Sequence, residues 1–360
     1  MVYQIAGLIF DISGNAKMMK SKVAYVQPEG FAAYCRKADV PFLKKENSPS
    51  DKDGEVFLYL GEDVNLWEIS APDLNVEIKG VDDVDENGNS NYVLRRLSNY
   101  AINDLNTKID GTIFYSVSDK IDEPLGECIS ENLGNYLYKT DTGFSVIRKF
   151  SQIHEILFRI DYNTEFNNAF LYVFDVSALG GVPLERYIHN CLGEAFSYMA
   201  LKNKRVTFHS SCIDYNGQGI CFSAPSGTGK STHAGLWQKC FPETEILNDD
   251  TPLIYISKEG EVLVSGTPWS GKTELNINRQ IPLKGIVRLY QNKTNVVSDI
   301  KGINAFKTIY GQTKNLGIKE FFDNTASVLN KVVESVPVVH LGCNISDEAV
   351  MVVKQKLGIN

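Results

Sequence analysis

The stretch Ser223-Ala224-Pro225-Ser226-Gly227-Thr228-Gly229-Lys230-Ser231 decides how this chain is read. A loop that cradles phosphates needs glycines, because backbone N–H groups must approach the anion and curl around it. It also needs a lysine to reach the β- and γ-phosphates, and a hydroxyl to ligate magnesium. All of these are present, and the flanks suit them. Ile220-Cys221-Phe222 upstream is a buried-strand run. Ser231-Thr232-His233-Ala234-Gly235-Leu236-Trp237 downstream continues as helix, whose positive end faces the loop. The expected nucleotide contacts are Ser226, Gly227, Thr228, Gly229, Lys230, Ser231 and Thr232, with ATP and Mg²⁺ as the ligands.

The pattern G-x-x-x-x-G-K-[ST] is matched more literally at Gly266-Thr267-Pro268-Trp269-Ser270-Gly271-Lys272-Thr273, since the first loop has Ala224 in place of the opening glycine. Context separates the two. Thr273 is followed by Asn276, Asn278 and Pro282 with no apolar helical stripe, so the second loop lacks the helix that a phosphate loop needs. Ala224 departs from the pattern only by a methyl group at the loop entry.

An acidic pair follows. Ile246-Leu247 leads into Asn248-Asp249-Asp250, and carboxylates at a strand end beside a phosphate loop hold Mg²⁺ or accept the proton of an attacking hydroxyl. The competing reading is a plain turn, because Asn-Asp-Asp-Thr-Pro is rich in turn formers.

Around this centre the second half reads as mixed α/β. A helix is expected over 183–202, strands over 206–213 and 219–223, and a hairpin turn at Asp214-Tyr215-Asn216-Gly217 between them. A helix over 231–239 follows the loop. Further strands are expected near 252–256, 261–265, 285–290 and 336–341, and a last helix over 346–357. Residues 1 to about 180 read as a strand-rich region, with short apolar runs at 56–60, 112–117 and 170–176. The segment 82–91 reads as a solvated loop and 91–105 as one helix. The pattern changes near Gly180-Gly181, which divides the chain into 1–180 and 181–360. The first part carries no recognisable chemistry; substrate recognition, dimer contact or a structural cap would each suit it.

The order strand, phosphate loop, short helix, Asp-Asp resembles the HPr kinase/phosphorylase and PEP carboxykinase superfamily. Phe208-His209-Ser210-Ser211, the Gly266-to-Lys272 loop and Ile281-Pro282-Leu283-Lys284-Gly285-Ile286-Val287 are similar to segments of that family, over roughly 184–357. The resemblance implies an α/β fold with a PEP carboxykinase/HPr kinase-like nucleotide-binding core and transfer of the γ-phosphoryl group to a hydroxyl of a peptide, a protein serine or a small metabolite. By the same resemblance Asp249 and Asp250 divide the roles of metal ligand and general base, Ser231 joins Asp249 on Mg²⁺, and His209 lies near the γ-phosphate or the acceptor. Lys272 adds positive charge at the transferring group, Arg279 is a lesser candidate for that task, and a homo-oligomer is a family habit. Two other readings stay open: a nucleotide-binding regulatory module without catalysis, and a PEP carboxykinase-like lyase. Against the lyase, the second half holds few arginines, namely Arg186, Arg205, Arg279 and Arg288.

Bulk properties narrow the partners. With 360 residues and a net charge of -8, the chain has no global basic face for nucleic acid, yet a nucleotide needs only a local positive site. No apolar stretch approaches the ~20 residues of a membrane span. The N-terminus has no basic segment followed by a long apolar one, and the 7 cysteines are scattered without a C-x-x-C pair. Both features lead to the expectation of a cytoplasmic protein.

Overall fold

The turn at Asp214 to Gly217 sets the geometry of the second half of the chain. Asn216 and Gly217 have φ of 51° and 76°, the pair of left-handed residues that a two-residue hairpin loop needs to match strand twist. The Asp214 carboxylate accepts the Gly217 N–H at 2.8 Å and locks the turn. In the computed structural model the described residues are 2–6, 8–15, 23–26, 43–44, 56–59, 92–101 and 110–359, apart from 133, 151–154 and 180–181. The expected loop at 82–91 and the Gly180-Gly181 boundary lie outside them. The chain is mixed α/β, and it divides into two compact units: residues 11–94 and 112–192, and residues 2–10, 95–111 and 193–360.

The first unit is built on a sheet. Its strands are β1 (Gly111–Ser118), β2 (Glu127–Asn132), β3 (Asn135–Lys139), β4 (Gly143–Phe150), β5 (Glu155–Asn163) and β6 (Asn168–Phe174). They lie in the order β1-β6-β5-β4-β3-β2. Every neighbouring pair is antiparallel except β1 and β6, which are parallel. Burial alternates residue by residue along β6, as it must when one face is packed and the other is not. The apolar run at 56–60 is a strand over Val56–Tyr59. The expected helix at 91–105 is confined to Tyr92–Leu97, with one 3₁₀ turn over Ser98–Tyr100.

Helix α1 (Leu184–Lys202) follows. The second unit then has β7 (Val206–Thr207), β8 (Ser211–Tyr215), β9 (Gln218–Ser223), α2 (Lys230–Cys240) and β10 (Glu245–Asn248). Next come β11 (Leu253–Ile256), β12 (Val262–Ser265), β13 (Gln280–Gln291) and β14 (Val296–Asp299). The chain ends with α3 (Gly302–Tyr310), α4 (Lys319–Ser335), β15 (Val338–Cys343) and α5 (Asp347–Lys356). The strand order is β7-β11-β12-β13-β9-β8-β10, with β15 also on β13 and β14 on β15.

Direction decides where ligands can sit. β9 runs parallel to β13, and β13 parallel to β15. β8 is antiparallel to both β9 and β10, so β9 and β10 point the same way. The 223–231 loop after β9 and the acidic pair after β10 therefore leave the sheet at one edge, the carboxyl edge at which α/β sheets bind ligands. Below that edge Ile213 and Tyr215, Ile220 and Phe222, Val287 and Leu289, and Val339 and Leu341 put alternate side chains into one core with Trp237 of α2 and Val350 and Val353 of α5. Trp237 is wholly buried, and this packing fixes α2 to the strands that carry the site.

One expected strand differs. The run 206–213 is not continuous: β7 ends at Thr207 and β8 starts at Ser211. Between them the chain bonds elsewhere, with the His209 N–H on the Gln312 carbonyl at 2.8 Å and the Ser210 N–H on the Asp250 carbonyl at 3.0 Å. The helices α3 and α4 and strand β14 were outside the sequence reading.

Candidate active site

Strand, loop and helix meet as the residues at 223–231 require. β9 ends at Ser223, and α2 begins at Lys230 after a loop in which Gly227 and Gly229 have φ of 78° and 113°. A side chain would meet nothing within 3.9 Å at either position, so it is the backbone conformation, not crowding, that demands glycine there. Gly229 is the N-cap of α2 and no side chain caps the helix. The first-turn N–H groups are thus left for a ligand, and the helix dipole adds to their pull on an anion. Ser226, Gly227, Ser231 and Thr232 are exposed, Thr228 and Gly229 half-buried.

Lys230 turns back over the loop. Its Nζ donates to the Ala224 carbonyl at 3.2 Å and lies 3.1 Å from Nε2 of His209. Burial holds its pKa below the ordinary lysine value, against the pull of the Asp250 and Asp249 carboxylates. His209 in turn places Nδ1 3.5 Å from Oδ1 of Asp250. Burial lowers the His209 pKa and raises that of Asp250. The lysine of the 223–231 loop, the histidine from the β7–β8 break and the acid after β10 thus form one connected row.

Asp249 is buried and accepts a hydrogen bond from Ser211 Oγ at 2.7 Å. Ser211 opens β8, and its partnership with Asp249 was not part of the sequence reading. Asn248 was also missed. Fully buried, it accepts the N–H groups of Asp250 and Thr251 at 2.9 and 2.7 Å, and its Nδ2 donates to the carbonyls of Thr267 and Trp269 at 2.9 and 3.3 Å. One side chain therefore holds the acidic turn against the 266–273 loop. A side chain that accepts two successive backbone N–H groups is an Asx-turn, which the Asn-Asp-Asp-Thr run advertises.

The 266–273 loop has no helix behind it; Gly271 to Thr273 form a turn, and the Ile277 N–H returns to the Leu247 carbonyl at 3.0 Å. It lies beside the acids: a methyl group on Gly271 would come within 3.1 Å of Asp250 Cβ. Lys272 is exposed and has no bonded partner among the described residues. Trp269 is buried and stacks on Phe196 of α1, 4.9 Å between centroids, so it closes the core. Arg279 is not with the others. It pairs with Asp214 and Glu245, at the end of β8 and the start of β10, which is the opposite edge of the sheet. The expectation that it serves the phosphoryl group is corrected accordingly.

Of the two residues expected at magnesium, Ser231 has an exposed hydroxyl, and Asp249 has a second carboxylate oxygen beside the one bonded to Ser211. Hard oxygen donors suit this ion, which normally takes one or two carboxylates, waters and substrate phosphates rather than an all-protein cage. Among the described residues no three His, Cys, Asp or Glu side chains cluster as a metal site.

No described helix is long and apolar enough to cross a membrane. No protein-family model matches the chain. No curated protein matches it either. Among solved structures, the HPr(Ser) kinase/phosphatase from Coxiella burnetii is similar over 42% of this chain and 97% of that chain, at 10% identity and a TM-score of 0.24. So slight a likeness carries no argument, and the chemistry is read from the site.

Proposed function

We propose that the chain is an ATP-dependent phosphotransferase with a PEP carboxykinase/HPr kinase-like core, passing the γ-phosphoryl group to a hydroxyl of a peptide, a protein serine or a small molecule. The observation that carries this reading is the row Lys230, His209, Asp250, drawn from separate segments and joined at 3.1 and 3.5 Å.

In this reading the first-turn N–H groups of α2 and the loop amides hold the phosphates, and Lys230 neutralises the β- and γ-phosphates. Ser231 and Asp249 would hold Mg²⁺, which would supply charge neutralisation to the polyphosphate. Asp250 is the general base. Its side chain is 35% exposed, which leaves room for an incoming hydroxyl. Its raised pKa brings it closer to the range in which a base accepts a proton well. His209 orients that carboxylate, and Lys272, free on its turn, reaches the transferring group or the acceptor.

The test is transfer of labelled γ-phosphate from ATP to peptide libraries and cell extracts. Wild type should label an acceptor, and Asp250→Asn should abolish labelling while Mg·ATP still binds. If wild type binds Mg·ATP but labels nothing across these acceptors, the phosphotransferase reading fails and a nucleotide-binding regulatory module replaces it.

A further inference from the structure

Ser223, the residue that leads into the phosphate loop, is paired in register with Arg288 of the neighbouring parallel strand β13. Val287 and Leu289 on either side of Arg288 point into the core under α2 and α5. Arg288 therefore projects from the other face, at the level at which β9 stops and the loop begins. Its Nη1 donates to Ser223 Oγ at 3.2 Å. A guanidinium has five N–H donors in a fixed fork, and this is the one bond that the Arg288 guanidinium makes among the described residues, where no carboxylate pairs with it. The group is half-buried. A half-buried cation without a counter-ion is costly, and the planar fork of arginine matches phosphate geometry.

Burial lowers the Arg288 pKa, as it does for a cation short of partners. The acids lie elsewhere: Asp249 and Asp250 follow β10, separated from β9 by β8, whereas Arg288 stands on the β13 side of β9.

We propose that Arg288 is a phosphate-binding residue of the nucleotide site, gripping the polyphosphate from the side opposite the acidic pair. Lys230 and Arg288 then bracket the anion, the lysine as a point charge and the arginine as a planar fork. This rests on the reading of 223–231 as a nucleotide site, and the experiment separates the two.

Binding of Mg·ATP and of inorganic tripolyphosphate is measured by calorimetry for wild type, Lys230→Ala, Arg288→Met and Arg288→Lys, and the melting temperature of each ligand-free protein is recorded. Arg288→Met should weaken both ligands about tenfold or more. Arg288→Lys should recover part of that loss, since it restores charge without the fork. The ligand-free melting temperature of Arg288→Met should not fall, because an uncompensated charge has been removed. The proposal is overturned if Arg288→Met binds both ligands like wild type while Lys230→Ala does not. It is equally overturned if the weakened binding comes with a matching fall in ligand-free stability, which would make Arg288 a strut for Ser223. If wild type binds neither ligand, or Lys230→Ala binds as wild type does, the nucleotide site itself is refuted, and Arg288 with it.

Discussion

Nε2 of His209 lies 3.1 Å from Nζ of Lys230, although the residues are 21 positions apart in the chain. An ammonium group only donates hydrogen bonds, so Nε2 must accept. The proton of the neutral ring is then on Nδ1, the nitrogen facing Asp250. This row makes a spectroscopic prediction. Burial, with Lys230 and Lys314 nearby, keeps the His209 pKa below 6.5 despite Asp250. Nitrogen NMR of labelled protein at neutral pH should therefore find His209 neutral in its Nδ1–H form. In Lys230→Met the preference should relax; an Nε2–H ring in wild type would contradict the arrangement.

The lysines should separate by role. Lys230→Ala removes a charge-assisted contact of about 1.5–3 kcal/mol, or roughly a 10- to 150-fold loss of Mg·ATP affinity. Lys272 sits on an exposed turn beside Asp250 rather than in the loop, so Lys272→Ala should leave Mg·ATP affinity within about twofold of wild type and lower the transfer rate. Calorimetry and a labelled-phosphate assay on the same preparations read the two effects.

Asn248 should act on turnover through geometry. Its removal leaves the N–H groups of Asp250 and Thr251 unanswered, and each buried unsatisfied group costs about 1–3 kcal/mol. Asn248→Ala should be less stable by that order and should lose turnover more than Mg·ATP affinity. Asn248→Asp, which keeps the accepting oxygens, should recover part of the turnover. Equal losses in both parameters, or no recovery, would argue against a positioning role.

His233, on the phosphate-loop helix, gives the protein a pH-dependent stability. Both ring nitrogens are buried without a partner, and burial pushes the pKa from 6.5 down to about 4. The folded state thus resists a proton that the unfolded state accepts. The associated stability is fully present above pH 6.5 and is lost as the pH falls toward about 4. From pH 7 to 5 wild type should lose about 2 kcal/mol more than His233→Leu. Urea denaturation of both proteins at the two pH values measures this; identical losses would show that His233 does not titrate in that window.

Much of this site was legible because its signals are local. Glycines at the loop, the lysine and hydroxyl that follow, and Asn-Asp-Asp after a short apolar run all act over a few residues. What escaped depends on contacts between distant segments. The strand over 206–213 reads as continuous because Phe208 is apolar, yet the His209 and Ser210 N–H groups are taken by Gln312 and Asp250. Ser211 is an ordinary strand serine until Asp249 is folded against it, and Arg288 is an ordinary strand arginine until β13 is set beside β9. The second pattern match has a physical cause of its own. A side chain at Gly266 would come within 2.0 Å of the Ile277 carbonyl, so this glycine admits a crossing backbone rather than a phosphate. Helix α4 could have been found: Phe321, Thr325, Val328, Leu329 and Val332 are buried at helical spacing.

The hairpin tip at Asn216 and Gly217 is exposed and lies at the edge of the sheet away from the phosphate loop, on the turn that separates β8 from β9. It is therefore the natural place for a fluorophore or an affinity handle. A label there sits on the two strands that frame the proposed site, at the edge opposite the groups assigned to it.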